Sequence, residues 1–270
     1  MRVTGIGHLL FAIAFAGLGV LSICSGDFAL VWQPVPAWVP WRMPLAELSG
    51  LVLLVGGLGL LVRHTAAVSA LVLTADFLIW LLLLRLPPVL AHPVNESVWA
   101  GLGETMLYVT GGWVLFASLA ERSVGVTAAR VVYAGALPVI GLSHFVYIQA
   151  TTDLVPAWLP ARMVLAYIAG ALQIAAGLGL LLRVLPRASA TLEALLISTF
   201  TVLVWIPRVA ASPRDRFEWT AMLVSSALAG AAWVVARSLR PPVSAPGRLV
   251  GTTERPNASR LSSAPRGSAV

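Results

Sequence analysis

One block of sequence occurs twice in this chain. Residues 35–63 read VPAWVPWRMPLAELSGLVLLVGGLGLLVR, and residues 155–183 read VPAWLPARMVLAYIAGALQIAAGLGLLLR, so the two copies are 120 residues apart. Chance similarity between apolar segments rarely extends over such a length. We therefore predict a tandem duplication, with a first module at residues 1–120 and a second at residues 121–237. The same offset also pairs residues beyond the block without a gap: Pro87 with Pro207, Trp99 with Trp219, and Trp113 with Trp233.

The composition indicates a membrane environment. Hydrophobic residues make up 59% of the chain, charged residues make up 11%, and the mean hydropathy is +0.89. A soluble protein of this length needs more polar surface than these residues provide. Eight apolar stretches have the roughly 20 residues that a helix needs to cross about 30 Å of hydrocarbon. They lie near residues 5–25, 43–62, 65–86, 98–119, 131–149, 163–182, 188–206 and 219–236.

These stretches predict an all-α polytopic membrane protein with eight transmembrane helices in two four-helix bundles. Each module holds four of the stretches. Because an even number of crossings returns the chain to its starting side, the second module begins on the same side as the first. The two repeats are therefore parallel, which disfavours a transporter built from inverted repeats.

The arginines predict the orientation in the membrane. All 18 basic residues are Arg, and 12 of them fall on the side of the two termini. The positive-inside rule then places both termini in the cytoplasm. The all-Arg basic residues and the compact loops favour the cytoplasmic membrane of a bacterium. Because the arginines are dispersed among helix ends, the lipid bilayer is the expected partner and nucleic acid is not.

Two smaller features concern the tail and the cysteine. Residues 238–270 lack apolar periodicity and are rich in Pro, Ser, Gly and Arg, which predicts a disordered cytoplasmic tail. Cys24 is the only cysteine. It excludes an intramolecular disulfide and a Cys-rich metal site, and we expect it to be a buried small residue. No metal-binding motif such as HExxH is present.

The second copy and its flanks contain five motifs: GLSHF at 141–145, VPAWLPAR at 155–162, a helix opening toward Gly170, GLGLLLR at 177–183, and Trp205-Ile206-Pro207. Together they resemble the DoxX-like family of integral membrane proteins. The resemblance covers most of residues 5–236 and is strongest in the second copy. It implies one four-helix membrane module per copy, in a family where some members are similar to quinone-linked membrane oxidoreductase subunits. It supplies no agreed catalytic residues, so we assign none.

Ionisable residues inside the apolar stretches are candidate site residues, because a charge within a bilayer is costly. Glu47, Glu104 and His144 lie roughly five to seven residues from the helix ends opposite the termini, or about 8–10 Å at 1.5 Å per residue. Asp76 lies near the middle of its helix. A short carboxylate at that depth has to be protonated, paired or in contact with a wet cavity.

The repeat assigns these residues to two different interiors. A constant offset of 120 pairs Glu47 with Tyr167 and His144 with Cys24. We predict that Glu47, Asp76 and Glu104 line a polar cavity in the first module, and that His144 and Tyr167 line its counterpart in the second. The alternative is that these side chains reach the membrane surface or form hydrogen bonds between helices.

The proline-rich loops opposite the termini carry exposed aromatic candidates. Pro40 and Pro160, with Pro36 and Pro156, exclude a continuous helix there. Trp38 and Trp158 lie between these prolines, and Trp32 and Trp41 flank the first loop. Such tryptophans are typical of anchors at the membrane interface. The alternative is that each loop closes over its bundle as a lid.

Three function classes follow from the sequence. The first is a quinone-linked membrane redox subunit, whose electrons have to come from a redox partner protein because haem, flavin and iron–sulfur motifs are absent. The second is a binding protein or carrier for a small amphipathic molecule. The third is a structural protein that assembles other membrane proteins. The sequence does not decide whether the protein is an enzyme.

Overall fold

The structure is a computed structural model that describes residues 5–239. Within that range all regular secondary structure is helical, which confirms the predicted all-α class, and residues 240–270 of the predicted tail lie outside it. π-Helical segments join α3 to α4 and α9 to α10. The helices are α1 (Ile6–Ser25), α2 (Arg42–Leu61), α3 (Ala66–Trp80), α4 (Leu86–Ala91), α5 (Glu96–Leu119), α6 (Val126–Val146), α7 (Ile148–Leu154), α8 (Arg162–Leu181), α9 (Pro186–Phe200), α10 (Ile206–Ala211) and α11 (Arg216–Ser238).

Seven helical stretches in this range are long and apolar enough to cross a membrane. Two of them, Ala66–Ala91 and Pro186–Ala211, each combine two α-helices with the π-helical segment between them. The remaining predicted span coincides with α5, which is 24 residues long, contains Glu104 and is not among these seven. The other five are Ile6–Ser25, Arg42–Leu61, Val126–Val146, Arg162–Leu181 and Arg216–Ser238.

The helices form one compact unit in which each half packs against the other. The first helix, α1, packs against α2 and α11, and its counterpart α6 packs against α8 and α5. Helices α5 and α11 meet near the centre, where Gly111 lies against Ala231. We call the end that holds Gly5 and Leu239 the terminal end, and the opposite end, which holds the proline-rich loops, the distal end. The predicted module boundary falls in the turn between α5 and α6.

The helix bounds repeat along the chain with the offset of the duplicated block. Helices α8, α9 and α10 begin and end 120 residues after α2, α3 and α4. The starts of α5 and α11 are capped alike, because Asn95 accepts a hydrogen bond from the Ser97 N–H at 3.0 Å and Asp215 accepts one from the Phe217 N–H at 2.8 Å. Both side chains satisfy backbone donors that a helix start leaves free.

The offset changes in the first helix of each half. A Cβ on Gly19 would meet Gly50 and Leu54, whereas a Cβ on Gly141 would meet Gly170 and Ile174. Position 141 exceeds 19 by 122, while 170 exceeds 50 by 120, so α6 is shifted by two residues relative to α8. The prediction that Cys24 is the counterpart of His144 is therefore wrong.

The residue in the place of His144 is Ser22, which is buried. Cys24 lies two residues further on and is exposed, in contrast to the buried position expected for it. At the corrected offset Phe11 corresponds to Tyr133 and Phe15 to Leu137. These pairs agree in burial, since all four side chains are fully buried.

Aromatic side chains fill the interior of the first half. The rings of Phe15, Trp32, Phe77 and Tyr108 pack together, with centroid distances from 4.5 Å for Phe15–Phe77 to 5.8 Å for Phe77–Tyr108. Trp32 is only 3% exposed, so the expectation that it flanks the loop as an interface residue is wrong. Arg85 Nη2 donates a 3.1 Å hydrogen bond to the carbonyl oxygen of Trp32.

An ion-pair junction holds three helix ends together at the distal end. Asp27 lies 2.8 Å from Arg42 at the start of α2 and 3.5 Å from Arg216 at the start of α11. Burial raises the pKa of the Asp27 carboxyl. The N–H of Phe28 and the two guanidinium groups together lower it by more than burial raises it, so the pKa lies below its ordinary value. The carboxylate therefore ties α2 and α11 to the chain leaving α1.

Candidate ligand-binding cavity

A cavity of about 640 Å³ lies in the second half of the molecule. Helices α6, α8, α9 and α11 surround it, and α5 closes one side. Its walls are mainly aliphatic and aromatic, including Phe200, Trp205 and Phe217. The size and the apolar lining are those of a site for a small organic molecule.

The cavity exists because the second half carries smaller side chains where the first half carries rings. Ile197 and Leu228, which line the cavity, correspond to Phe77 and Tyr108 at the offset of 120. The segment that inserts Trp32 into the first half has no aromatic counterpart, because the equivalent stretch forms α7, whose buried side chain is that of Thr152. The same helix arrangement is thus filled in one half and hollow in the other.

The distal part of the cavity is polar. Glu104 from α5 lines it together with Ser143 and His144 from α6. Ser143 Oγ donates a 2.6 Å hydrogen bond to Glu96 Oε1, and the His144 ring stacks on Phe200 at a centroid distance of 6.0 Å. His144 lines the cavity from α6, although its Nδ1 atom is itself buried.

Arg85 is a basic neighbour of Glu104, and both residues belong to the first half of the chain. Arg85 interacts electrostatically with Glu104, and its side chain lies against Gly101, where a Cβ would come within 2.6 Å of Nη1. Its other anchor is the carbonyl oxygen of Val31, 2.7 Å from Nη2. Val31 and Glu104 both line the cavity, so the first half supplies part of the distal wall.

The deep part of the cavity ends at a buried polar cluster. Gln173 lines the cavity and is 3% exposed, and its Nε2 donates a 3.1 Å hydrogen bond to Glu193 Oε1. Glu193 is 0% exposed and interacts electrostatically with the buried Tyr133. Three atoms of this cluster have no hydrogen-bond partner: Glu193 Oε2, Gln173 Oε1 and Tyr133 Oη.

Sequence reasoning did not assign this deep cluster to a site. Gln173, Glu193 and Tyr133 stand where the first half has Leu53, Leu73 and Phe11, all of them fully buried. The sequence does contain a sign of this cluster, because each of the three polar residues replaces an apolar residue of the other copy. The offset of 122 in the first helix concealed the third pair.

The structure brings together only two of the five residues predicted to line cavities. Glu104 and His144 share one cavity, although they were predicted in separate modules. Asp76 is paired on its own helix, accepting a 3.1 Å hydrogen bond from Trp80 Nε1. Glu47 is partly exposed on α2, and Tyr167 is 38% exposed with its ring 5.5 Å from that of Phe145. These three do not line the cavity.

The distal loop of the second half covers the cavity with its aliphatic residues. Pro156 and Leu159 line the cavity, whereas Trp158 is 69% exposed and Pro160 is exposed. In the first half, Trp38 is 81% exposed and Pro40 is exposed as well. The two tryptophans therefore extend away from the protein, which suits interface anchors, while other residues of the second loop cover the cavity.

A charged clamp fixes the distal wall. Arg208 on α10 makes two hydrogen bonds to Glu218 on α11, from Nε to Oε2 at 2.8 Å and from Nη2 to Oε1 at 2.7 Å. The guanidinium also lies over the ring of Trp205, 5.6 Å from its centroid. Since Trp205 lines the cavity, this two-point pair positions one of its aromatic walls.

The cavity reaches the protein surface between α8 and α9. Ile168 on α8 is 47% exposed and Thr199 on α9 is exposed, and both also line the cavity. Helix α8 packs against α9 but makes no comparable contact with the π-helical segment Thr201–Trp205. The gap between them is lateral, so it faces the same surroundings as the exposed apolar side chains.

Two ionisable side chains, those of Glu104 and His144, line the cavity. Glu104 and His144 are able to exchange protons at the distal end. No group of three or more His, Cys, Asp or Glu residues suited to a metal ion occurs within residues 5–239.

One protein family matches part of the second half of the chain. A family described as Domain of unknown function (DUF8561) matches residues 133–236, which begin in α6 and end in α11. The match contains His144, Gln173 and Glu193. No curated protein and no solved structure matches the chain. The function has to be argued from the geometry of the cavity.

Proposed function

We propose that this protein is an integral membrane protein that binds a small amphipathic molecule in the cavity of its second half. It has eight transmembrane helices, α5 being the eighth, and it arose by tandem duplication of a DoxX-like four-helix module. The recurring helix bounds support the duplication. The arginine distribution supports cytoplasmic termini, which makes the distal end the outer one.

The observation that carries the proposal is the combination of apolar walls, polar ends and a lateral opening. Apolar walls suit a hydrocarbon body, and the groups near His144 and Gln173 suit polar atoms. An opening between α8 and α9 at membrane depth lets such a molecule enter from the lipid rather than from water. A purely structural protein has no need of such a cavity.

A quinone-linked role is the second candidate. It is supported by the DoxX-like resemblance and by the placement of Glu104 and His144 in one cavity. A carboxylate and an imidazole at the distal end suit the proton exchange that accompanies quinone reduction. Electrons then have to come from a redox partner protein, and we assign no catalytic residue in this chain.

The test is to fill the cavity with the side chains of the first half. The variant Ile197→Phe with Leu228→Tyr copies Phe77 and Tyr108. We expect wild-type protein, purified in nanodiscs, to retain a stoichiometric small molecule that mass spectrometry of the solvent extract identifies. The filled variant should lose it. A quinone among the retained molecules selects the redox role, and any other amphiphile selects the binding or carrier role.

A matched control adds volume outside the cavity. Leu142 is 45% exposed on α6 and does not line the cavity, so Leu142→Phe should keep the bound molecule. An empty wild-type protein, or a bound molecule that the filled variant retains at the same stoichiometry, would overturn the proposal.

A further inference from the structure

One carboxylate of the cavity lining has no partner in the protein. Glu104 takes part in no hydrogen bond and no ion pair within residues 5–239. Its carboxyl oxygens are not enclosed, in contrast to Oε2 of Glu96 and Oε2 of Glu193. Because Glu104 is partly exposed and lines the cavity, a molecule in the cavity is able to reach its carboxyl group.

Several hydroxyl groups of the lining use their protons within the protein. Those of Thr151, Thr199 and Thr220 donate to carbonyl oxygens of their own helices, at 3.1, 2.9 and 2.8 Å. Ser143 Oγ donates to Glu96 Oε1 at 2.6 Å. A hydroxyl that has donated its proton retains only lone pairs for a further partner. These groups therefore offer acceptors, as does Glu104, and a ligand head group in the cavity has to supply the donor.

The charges around Glu104 favour a neutral head group over a cation. The guanidinium of Arg85 attracts the Glu104 carboxylate, whereas Glu96 repels it. Glu96 lies in the first turn of α5, where the partial positive charge of a helix start stabilises a carboxylate. Glu104 therefore has a counter-charge in Arg85, and its oxygens lack only hydrogen-bond donors.

We infer that the cavity binds an amphipathic alcohol whose hydroxyl group donates a hydrogen bond to the carboxylate of Glu104. A hydroxyl supplies one donor without adding a charge. A hydrogen bond from a hydroxyl to a carboxylate is roughly twice as strong as one between neutral groups. The inference rests on the proposed function, because the alcohol occupies the same cavity. It adds the chemistry of the head group and its position at the distal end.

The remainder of the cavity accommodates the hydrocarbon chain of such a molecule. Helix α5 packs against α6 and α11, and the lateral opening lies between α8 and α9, so Glu104 lies across the cavity from the opening. Along α8 the cavity extends from Leu165 to Gln173, eight residues or about 12 Å. A chain that starts at Glu104 therefore lies against apolar walls and leads toward the opening at Ile168.

The repeat carries this carboxylate in one copy only. At the offset of 120, Glu104 corresponds to Val224 on α11, which also lines the cavity. A helix of this type therefore forms with an aliphatic residue at the same position. Because a carboxylate away from bulk water is costly, its presence on α5 is better explained by a bound donor than by folding.

The experiment uses the full chain in nanodiscs of zwitterionic lipid and a dodecanol probe with a photoreactive group beside its hydroxyl. After illumination, mass spectrometry maps the crosslinked peptides. The competitors are dodecanol and its isomer methyl undecyl ether, which has no donor. We expect saturable labelling of peptides from α5 and α6. Dodecanol should displace the probe at a mole fraction in the lipid about tenfold lower than the ether does, because the ether cannot donate to Glu104.

Two variants test the role of Glu104. Glu104→Gln keeps the size of the side chain, but its amide both donates and accepts, so the preference for the alcohol should fall to about twofold or less. Glu47→Gln removes a carboxylate that does not line the cavity and should keep the tenfold preference. If Glu104→Gln does not fold, as judged by size-exclusion chromatography, the alcohol-to-ether ratio and the labelled helices of the wild type decide.

The outcomes separate this inference from the proposed function. Equal displacement by the ether, an unchanged preference in Glu104→Gln, or head-group labelling confined to α8 and α9 overturns the alcohol and leaves an amphiphile-binding cavity. Displacement by dodecylamine at a lower mole fraction than dodecanol also overturns it, because Glu104 then requires a cation. If the probe labels no peptide of the cavity, the proposed function fails together with the inference.

Discussion

The two halves of this molecule share one helix arrangement and differ in what fills it. The first half encloses the rings of Phe15, Trp32, Phe77 and Tyr108, whereas the second half encloses a cavity of about 640 Å³. Gly50, Gly57 and Gly59 recur as Gly170, Gly177 and Gly179, and the bounds of α2, α3 and α4 recur in α8, α9 and α10. Side-chain volume at a few interior positions, rather than backbone topology, therefore decides whether such a bundle is solid or hollow.

The largest expected effect comes from removing a ring of the filled half. Phe77→Ala should lower the free energy of unfolding by about 3–5 kcal/mol, because it leaves a void among closely packed rings. The counterpart Ile197→Ala should lower it by about 2 kcal/mol or less, since Ile197 already borders empty space. Unfolding in mixed detergent measures both changes. Equal losses would show that the two interiors are packed alike.

The second-largest expected effect is an increase in the free energy of unfolding. The double variant Gln173→Leu with Glu193→Leu copies Leu53 and Leu73 of the first half. It should raise the free energy of unfolding by about 2 kcal/mol, because it removes buried polar atoms that lack partners. The same unfolding assay measures the gain. A less stable double variant would mean that the polar cluster holds the fold together.

A smaller effect concerns the clamp that only the second half has. Arg208 corresponds to Pro88 and Glu218 to Val98, so the first half has no equivalent pair. Arg208→Ala should cost about 1–2 kcal/mol, because it leaves a carboxylate that is 10% exposed without its two-point partner. Arg162→Ala, an exposed arginine at the same end, should cost less than about 0.5 kcal/mol. Thermal unfolding scans compare the two, and a similar loss for both would assign no role to the pair.

The smallest effect belongs to the junction at Asp27. Its folded pKa lies below the ordinary value, so its contribution to stability is complete above the ordinary aspartate pKa of about 3.9. As the pH falls through the lower folded pKa, that contribution is lost. Asp27→Asn should cost about 1 kcal/mol or less at pH 7 and nothing once the carboxyl is protonated. Unfolding midpoints of wild type and variant over a pH series, lowered from 7 until their difference stops changing, measure this. A difference that stays constant over the whole series would contradict it, and Asp153→Asn, an exposed carboxylate, serves as the control.

Much of the fold was predictable from the sequence, for identifiable reasons. The duplicated block positions α2 and α8, and apolar stretches of suitable length indicate the remaining long helices. The two-residue shift of α6 was not predictable, because an ungapped alignment of apolar residues has no marker for it. The contacts of Gly19 and Gly141 reveal it.

The site was less predictable, because it depends on how the helices are rotated. Glu104 and His144 were identified as polar residues at similar depth, but their common cavity requires α5 and α6 to be neighbours across the repeat boundary. Gln173 and Glu193 are 20 residues apart on antiparallel helices, and their contact depends on the facing sides of α8 and α9. The depth of a side chain along its helix can be counted from the sequence, whereas the direction in which it points depends on how the helices pack.

The contact between α5 and α11 also bears on how such a chain could originate. Gly111 and Ala231, which touch at the centre, are equivalent positions of the two copies, so a twofold pseudosymmetry axis passes between them. Each copy packs its first helix against the last helix of the other. A protein with one copy would therefore have to form a symmetric dimer to cover the same surfaces. In the duplication that we propose, fusion of two such subunits would allow each half to change alone, so that one half could be filled by rings while the other holds a cavity.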